Sequence, residues 1–469
     1  MLSGKFVSGR THRFVSWTRR AASTAAKKQR LVVLGSGWAG YNVARKVDKT
    51  LYDVTVVSPN SYFSFTPFLA STAVGTLEYR CATEPVRAIK EVRFSEGWAR
   101  NIDFAKKVVQ VKSSLPATAL AIEAAQTPGE SAAQLISYDV PYDNLVIAVG
   151  CFSASFGIPG VKENAHFLKD IRDARTIRTR LLECLEQASL PQMTAEERRN
   201  LLSFRIVGGG PTGVEFAAEL HDFVHDDVYR LYPHLRGEIE ITLYDVAPGI
   251  LMSFDAGLRE YAERKFARTG VTVKGNSSIT AVGKDWIEIA GKDRYPFGLL
   301  VWSTGLQANP FVDSLSGVLK DEKTKSLEVN GSLSLLDEDG KAIPGVFAIG
   351  DNCTPAGGPR LPATAQVASQ MAKHLSKTLN LVGNGKPLSE TPPFAWKNRG
   401  SMVFIGDYRA MVDRSKDSVE GPKSRLAGIS AWILWRSYYM MLAMGWRNKL
   451  LVPTYWALAW AFGRDVTRF

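Results

Sequence analysis

Two glycine triplets lie where a backbone would have to come close to a bound anion. Gly35, Gly37 and Gly40 follow the apolar run LVVL and open the stretch WAGYNVARKV, while Gly208, Gly210 and Gly213 follow FRIV and open PTGVEFAAEL. In such a G-x-G-x-x-G turn the first glycine allows the tight bend and the second lets a pyrophosphate approach the main chain. The third lets helix and strand pack closely. The helix start adds unpaired N–H groups and a partial positive charge. One such turn is a weak signal, because glycine-rich turns occur in many folds. Two, each between a strand and a helix, imply two dinucleotide sites. The plainer alternative is that one of them is only a close contact between helix and strand.

The end of the next strand decides what else each site can hold. The run EIEITLYD ends at Asp245, where a carboxylate can accept the adenosine ribose hydroxyls and would repel a 2′-phosphate, so NADH is expected over NADPH. The gap of 37 residues from Gly208 to Asp245 is longer than the usual ~20. A long helix and a turn at 232–237 can absorb it. In the first copy the run DVTVVS ends at Ser58, which gives a weaker or water-mediated hold on a ribose.

These turns need a scaffold, and the order of apolar runs supplies one. The stretch LVVLGSGWAGYNVARKVDKTLYDVTVVS reads as a βαβ opening, and NLVIAVG at 144–150 closes the first module. The breaks GIPG at 157–160 and a charged helix over about 170–188 lead to the second opening. FGLLVWSTG at 297–305 and GVFAIGD at 345–351 are further apolar strands, and the latter returns the chain to the first module. The fold class is therefore α/β, with two Rossmann-like dinucleotide-binding domains, the first interrupted by the second.

Composition narrows the partners. The 469 residues are 45% hydrophobic and 22% charged, ordinary for a globular enzyme. Of the +12 net charge, eight Lys and Arg fall in the first thirty residues, before the first acid at Asp48. The body is nearly neutral, so no nucleic-acid partner is expected. That leader is Ser/Thr-rich, free of acids and dotted with Leu2, Phe6, Phe14 and Trp17, the pattern of a mitochondrial targeting segment over 1–30; a solvated basic arm is the alternative. Cys81, Cys151, Cys184 and Cys353 are too widely spaced for a CxxC or zinc pair, and no metal site is expected.

With both fingerprints, AVG at 148–150, STG at 303–305 and GD at 350–351 in this order, the chain resembles the two-dinucleotide-binding-domain flavoproteins. VVSPNSYFSFTPFLAS at 56–71 and LPATAQVASQMAKHL at 361–375 are similar to signatures of type II NADH:quinone oxidoreductases, the single-subunit alternative NADH dehydrogenases. The resemblance implies an FAD-binding domain over 31–170 and 306–395, an NADH-binding domain over 171–305 and a membrane-anchoring, dimerising region over 396–469. It implies FAD on Gly35, Gly37, Gly40, Ser58, Thr66, Pro67, Gly350 and Asp351, with NADH on Gly208, Gly210, Gly213, Asp245 and Gly305. Glu215, in GPTGVE, matches a family glutamate near the nicotinamide; it could equally be an acid offsetting the dipole of its helix. Gln366 and Gln370, one helical turn apart, match a pair that would bond a quinone carbonyl; the alternative is a solvent-facing pair. The sequence departs from the family at Asn60, where a basic residue is common.

From Trp432 onward the composition changes. Trp432, Trp435, Tyr439, Leu442 and Trp446 recur at helical spacing as one apolar stripe, flanked by Arg436, Arg447, Lys449, Arg464 and Arg468. The longest uncharged run, fourteen residues from Leu450 to Gly463, is too short to span a bilayer and is broken by Pro453. The tail is thus expected to lie on a lipid surface, or else to pack against the body or a second subunit. The implied reaction is non-proton-pumping transfer of a hydride from NADH to FAD and of two electrons to ubiquinone, by a peripheral protein of the mitochondrial inner membrane acting as a homodimer. The rivals are a sulfide:quinone oxidoreductase, through Cys151 and Cys353, and a redox signalling flavoprotein similar to apoptosis-inducing factor.

Overall fold

The computed structural model describes residues 28–114, 136–291, 293–416 and 421–467. The expected targeting segment lies outside them except for its last three residues, as does Arg468.

Continuous apolar runs become central parallel strands, because such strands are buried on both faces. Gln29–Leu34 pairs in parallel with Tyr52–Ser58 on one side and Asn144–Ile147 on the other. Val92–Asp103 extends the sheet beyond Tyr52–Ser58, and Val108–Ser113 and Ser137–Pro141 add an antiparallel edge. On the far side, Ala342–Ala348 pairs in parallel with Asn144–Ile147, so the chain does return to its first module after a long excursion. Among the described residues ten strands make up this sheet.

The excursion builds a second sheet of five strands, in the order His166–Phe167, Leu299–Trp302, Ser203–Val207, Glu240–Tyr244 and Val271–Lys274, all parallel. Between the two sheets, Cys151–Ser153 and Leu306–Ala308 form an antiparallel pair where the chain crosses in each direction. The charged helix forms as Ile171–Ala188, started by a capping box between Asp170 and Asp173 that satisfies backbone donors at both positions. The long gap before Asp245 is filled by the helix Pro211–Phe223, a π-helical continuation over Val224–Val228 and two short turns, Tyr229–Leu231 and Pro233–Leu235.

After the helix Ala365–Gly383, which packs on Trp38–Lys46, a three-stranded antiparallel sheet of Ser401–Phe404, Ala410–Asp413 and Arg425–Gly428 leads into two helices, Ile429–Leu442 and Trp446–Phe462. Among the described residues no helix is long and apolar enough to cross a membrane.

Candidate functional site

The two glycine turns match contact for contact. Gly35 and Gly208 have φ of +103° and +116°, a region open to glycine at little cost. Each donates its N–H to the end of the following strand, Gly35 to Val57 O and Gly208 to Tyr244 O, both at 2.8 Å. A Cβ on Gly40 would stand 2.0 Å from Gly35 O, and one on Gly213 would stand 2.0 Å from Gly208 O. The middle glycines differ in kind, since a Cβ on Gly37 or Gly210 would meet nothing within 4 Å. Both middle glycines are helix N-caps with no capping side chain and no acid in the first turn. Two helix N-termini are thus left bare beside open space, a donor set suited to the pyrophosphates of two dinucleotides.

Around the first turn, Gly350 (φ +83°) brings its backbone against Ala39, placing Asp351 near the helix start. Asn352 ties this turn down, its amide donating to Ile147 O at 3.1 Å and its carbonyl oxygen accepting from Gly150 N at 3.2 Å. Asp351 lies 3.5 Å from the Cys151 thiol, which also receives Lys169 Nζ at 3.2 Å. Ser58 is buried and bonded to the Ser36 hydroxyl at 2.9 Å. Ser36 also reaches Asn60 O, so these hydroxyls hold the strand ends together. Thr66 accepts from Trp38 Nε1 at 3.0 Å, and Pro67 occupies the first turn of the 3₁₀ helix Thr66–Phe68. These residues fit an FAD, whose phosphates suit the bare helix start.

Around the second turn, Asp245 accepts from Gly209 N at 2.5 Å and from Ala247 N at 2.7 Å. It lines a cavity of about 320 Å³ together with Gly208, Ser277, Trp302, Thr304 and Phe156. Gly305 (φ +76°) is pressed against the Phe156 ring, which is 63% exposed and was not anticipated from sequence.

Glu215 lies one and a half turns into the helix Pro211–Phe223. One of its oxygens accepts from Phe404 N at 3.1 Å and from Trp435 Nε1 at 3.3 Å. Protein surrounds the carboxyl, although part of the residue's surface stays open. Loss of hydration pushes it up to about 8 against those two hydrogen bonds. Gln366 and Gln370 do share one helix face, but both amides are engaged by the chain itself. Gln366 bonds Gly400 O and Arg399 N at 3.3 and 3.0 Å, and Gln370 bonds Lys397 O and Lys397 N at 2.9 and 3.0 Å. The pair clamps the segment 397–400 as a neighbouring strand would.

The tail corrects the expectation of one outward stripe with basic flanks. A break at 443–445, anchored by Gly445 N and Asn448 on Glu84, puts Trp446 on a different helix from the other four. Trp435 is buried on Phe404 and Glu215, and Tyr439 meets Phe65 and Phe68 edge-on. Two of the basic residues turn inward: Arg436 lies between the Trp432 and Trp456 rings at 4.5 and 4.3 Å, and Arg464 bonds Asp227 at 2.8 Å. Arg447 stays exposed while bonding Thr83 O at 2.8 Å, and Lys449 lies over the outward Trp446 ring at 5.3 Å. The outward face is made of Leu442 and Trp446 from that stripe together with Ile429, Ile433, Met441, Leu450 and Trp460.

Sequence reasoning also missed Glu219, which is 5% exposed and accepts hydroxyl hydrogen bonds from Ser71 at 2.6 Å and Thr76 at 2.7 Å. Its i, i+4 spacing from Glu215 in VEFAAEL, on an otherwise apolar helix face, was the available signal. All four cysteines are free, and burial raises the Cys151 thiol to about 11 and the Cys353 thiol further. Among the described residues no cluster of metal-ligating side chains occurs.

Comparison with known proteins agrees with this geometry. The sequence matches the family described as pyridine nucleotide-disulphide oxidoreductase over residues 29–372 and the NDH2 C-terminal domain over 398–465. It is 38% identical over 467 residues to an internal alternative NAD(P)H-ubiquinone oxidoreductase A1, mitochondrial, of Solanum tuberosum, covering 95% of this chain and 89% of the relative. It is 35% identical over 480 residues to the external NADH-ubiquinone oxidoreductase 2, mitochondrial, of Saccharomyces cerevisiae, covering 95% and 83%. In fold it resembles NDH2 from Plasmodium falciparum, solved in complex with NADH, with a TM-score of 0.83 at 24% identity over 94% of this chain and all of that one. Two bare helix starts, one interrupted sheet and a tail folded over the second helix are accounted for together: this chain belongs to the pyridine nucleotide-disulphide oxidoreductases and, within them, to the type II NADH:quinone oxidoreductases.

Proposed function

We propose that this protein is an FAD-dependent NADH:ubiquinone oxidoreductase that pumps no protons. The observation that carries the reading is the repeated bare helix N-terminus, with Asp245 at the strand end of one copy and Ser58 at the other. FAD belongs at Gly35, Gly37, Gly40, Ser58, Thr66, Pro67, Gly350 and Asp351, and NADH at Gly208, Gly210, Gly213, Asp245 and Gly305. Bound there, FAD supplies the chemistry of accepting a hydride and releasing two electrons. The protein's own part is alignment. The two bare helix starts would hold the phosphates, Asp245 would select the unphosphorylated ribose, and Phe156 lines the same cavity as Asp245. Glu215, raised to about 8 by loss of hydration, sits beside Trp435, and Gln366 and Gln370 fix the segment 397–400.

The mitochondrial inner membrane is the proposed setting, with the protein lying on its surface; the relatives are named as mitochondrial. Support for a lipid contact comes from the apolar side chains left outward by the two last helices, Trp446 at 82% and Trp460 at 77% exposure among them. The homodimer would use the same face, and sedimentation with and without vesicles separates the two occupants. Cys151 and Cys353, half-buried and with thiols raised by loss of hydration, favour neither a sulfide donor nor a thiol relay.

The test is anaerobic. NADH should bleach the flavin of the purified protein, and a short-chain ubiquinone should restore the colour with two-electron stoichiometry. A reduced flavin that ubiquinone leaves untouched overturns the quinone assignment, and a colourless protein overturns the whole reading.

A further inference from the structure

The parallel strands of the second sheet put the two halves of a dinucleotide on opposite sides of its glycine turn. Asp245 follows Glu240–Tyr244 on one side of Ser203–Val207, and Gly305 follows Leu299–Trp302 on the other. With the adenosine ribose at Asp245, a pyrophosphate crosses at the helix start and the nicotinamide riboside falls towards Gly305. An aromatic ring stands at that end. It belongs to Phe156, three residues beyond the strand Cys151–Ser153 on which the chain crosses between the sheets.

Phe156 is unusual in two ways. Its ring is mostly exposed, although it lines the 320 Å³ cavity with Gly208, Asp245 and Thr304. Its φ is +53°, a left-handed conformation unfavourable for a bulky side chain. Gly157 follows at +72°, and Ile158 N donates to Ser155 O at 3.0 Å, so Phe156 leads a tight turn whose first central place ordinarily takes Asn, Asp or Gly. The base of the turn is pinned. Trp302 Nε1 donates to Ala154 O at 3.0 Å, and Ala154 N donates to Gly305 O at 3.2 Å. A Cβ on Gly305 would stand 2.3 Å from the ring's Cζ, so the ring occupies this place only because residue 305 has no side chain. A strained, anchored backbone thus holds an uncovered ring at the cavity.

We propose that Phe156 is the platform for the nicotinamide riboside half of NADH, its ring packing on that half while Asp245 takes the adenosine end. The proposal rests on NADH occupying the second glycine turn and assigns the residue that receives its reacting end. A flat aromatic face suits a planar heterocycle. The oxidised nicotinamide is cationic, so NAD⁺ feels the face of the ring at least as strongly as NADH and serves as a probe that does not react.

The experiment titrates the full-length, FAD-loaded, oxidised protein by calorimetry with NAD⁺ and, separately, with ADP, which shares the adenosine end but lacks the nicotinamide riboside. Phe156→Ala should weaken NAD⁺ by about 5- to 30-fold and ADP by less than about two-fold, with the flavin absorbance unchanged. Phe156→Tyr, which keeps the ring, should bind NAD⁺ within about two-fold of the parent. The ADP titration also reports whether the second sheet of each variant is folded. Unchanged NAD⁺ affinity in Phe156→Ala overturns the proposal, and so does an equal loss for both ligands. If the unsubstituted protein binds neither NAD⁺ nor ADP, the assignment of NADH to the second turn itself fails, which the same titrations show separately.

Discussion

The two glycine turns are alike in backbone and unlike in everything attached to it. Gly40 and Gly213 are excluded from bearing a Cβ by the same carbonyl contact, and Gly37 and Gly210 face the same open space. Yet Asn42, two residues after Gly40, bonds within its own helix to Trp38 O, whereas Glu215, two residues after Gly213, reaches out to Phe404 and Trp435. The first strand end is a neutral pair of hydroxyls; the second is a carboxylate. The backbone device thus recognises what two dinucleotides share, and the side chains around it separate a resident group from one that must come and go.

The strongest way to break this comparison is to fill each turn in turn. Gly40→Val should abolish flavin binding, read as loss of visible absorbance, while Gly213→Val should leave a yellow protein that NADH no longer bleaches. If both variants lose flavin equally, the two turns do not serve separate ligands. Next in size, Asp245→Ala removes a charged acceptor and should weaken NADH by about 10- to 100-fold while narrowing the preference over NADPH, as measured by titration of each nucleotide.

A smaller effect sharpens the contrast between Asn42 and Glu215. Because Glu215 has a raised value in the fold, the folded protein binds more protons than the unfolded chain between the ordinary glutamate range and about pH 8. Stability from this group is therefore present at low pH and lost as pH rises through that window. Glu215→Gln, which makes the second helix neutral like the first, should be more stable than the parent at about pH 8 relative to about pH 5, by about 2 kcal/mol in chemical denaturation, the open part of the residue keeping the figure modest. Smallest is the tail, whose Trp435 bonds Glu215 on the second helix. Trp446→Ser and Trp460→Ser should each weaken co-sedimentation with anionic lipid vesicles by a few-fold without altering NADH binding.

How much was legible follows the range of the interactions. Both turns, the central strands and the capped helix Ile171–Ala188 are local patterns, complete within some thirty residues, and the structure places them as read. The long gap to Asp245 was readable because only local turns fill it. The tail was only partly legible, because Trp435, Arg436 and Arg464 find partners far away in sequence. Periodicity reports that a face is apolar, not which surface covers it. The Gln366–Gln370 pair shows the same limit. Its spacing fixed a shared face, but the backbone at 397–400 that occupies both amides leaves no trace in the helix itself. Glu219 escaped notice because two hydroxyls and an arginine from distant segments, rather than a motif, make a buried carboxyl tolerable.

Arg464 meets Thr76 across 388 positions of sequence, and Arg178 holds the backbone of Asp465 across 287. On the ribosome, both sheets can pair long before those partners emerge. A nascent chain therefore passes through a stage in which Glu219 lies open to water. A premature stop before residue 464 would leave both sheets able to pair while Thr76 and Arg178 lack their tail partners.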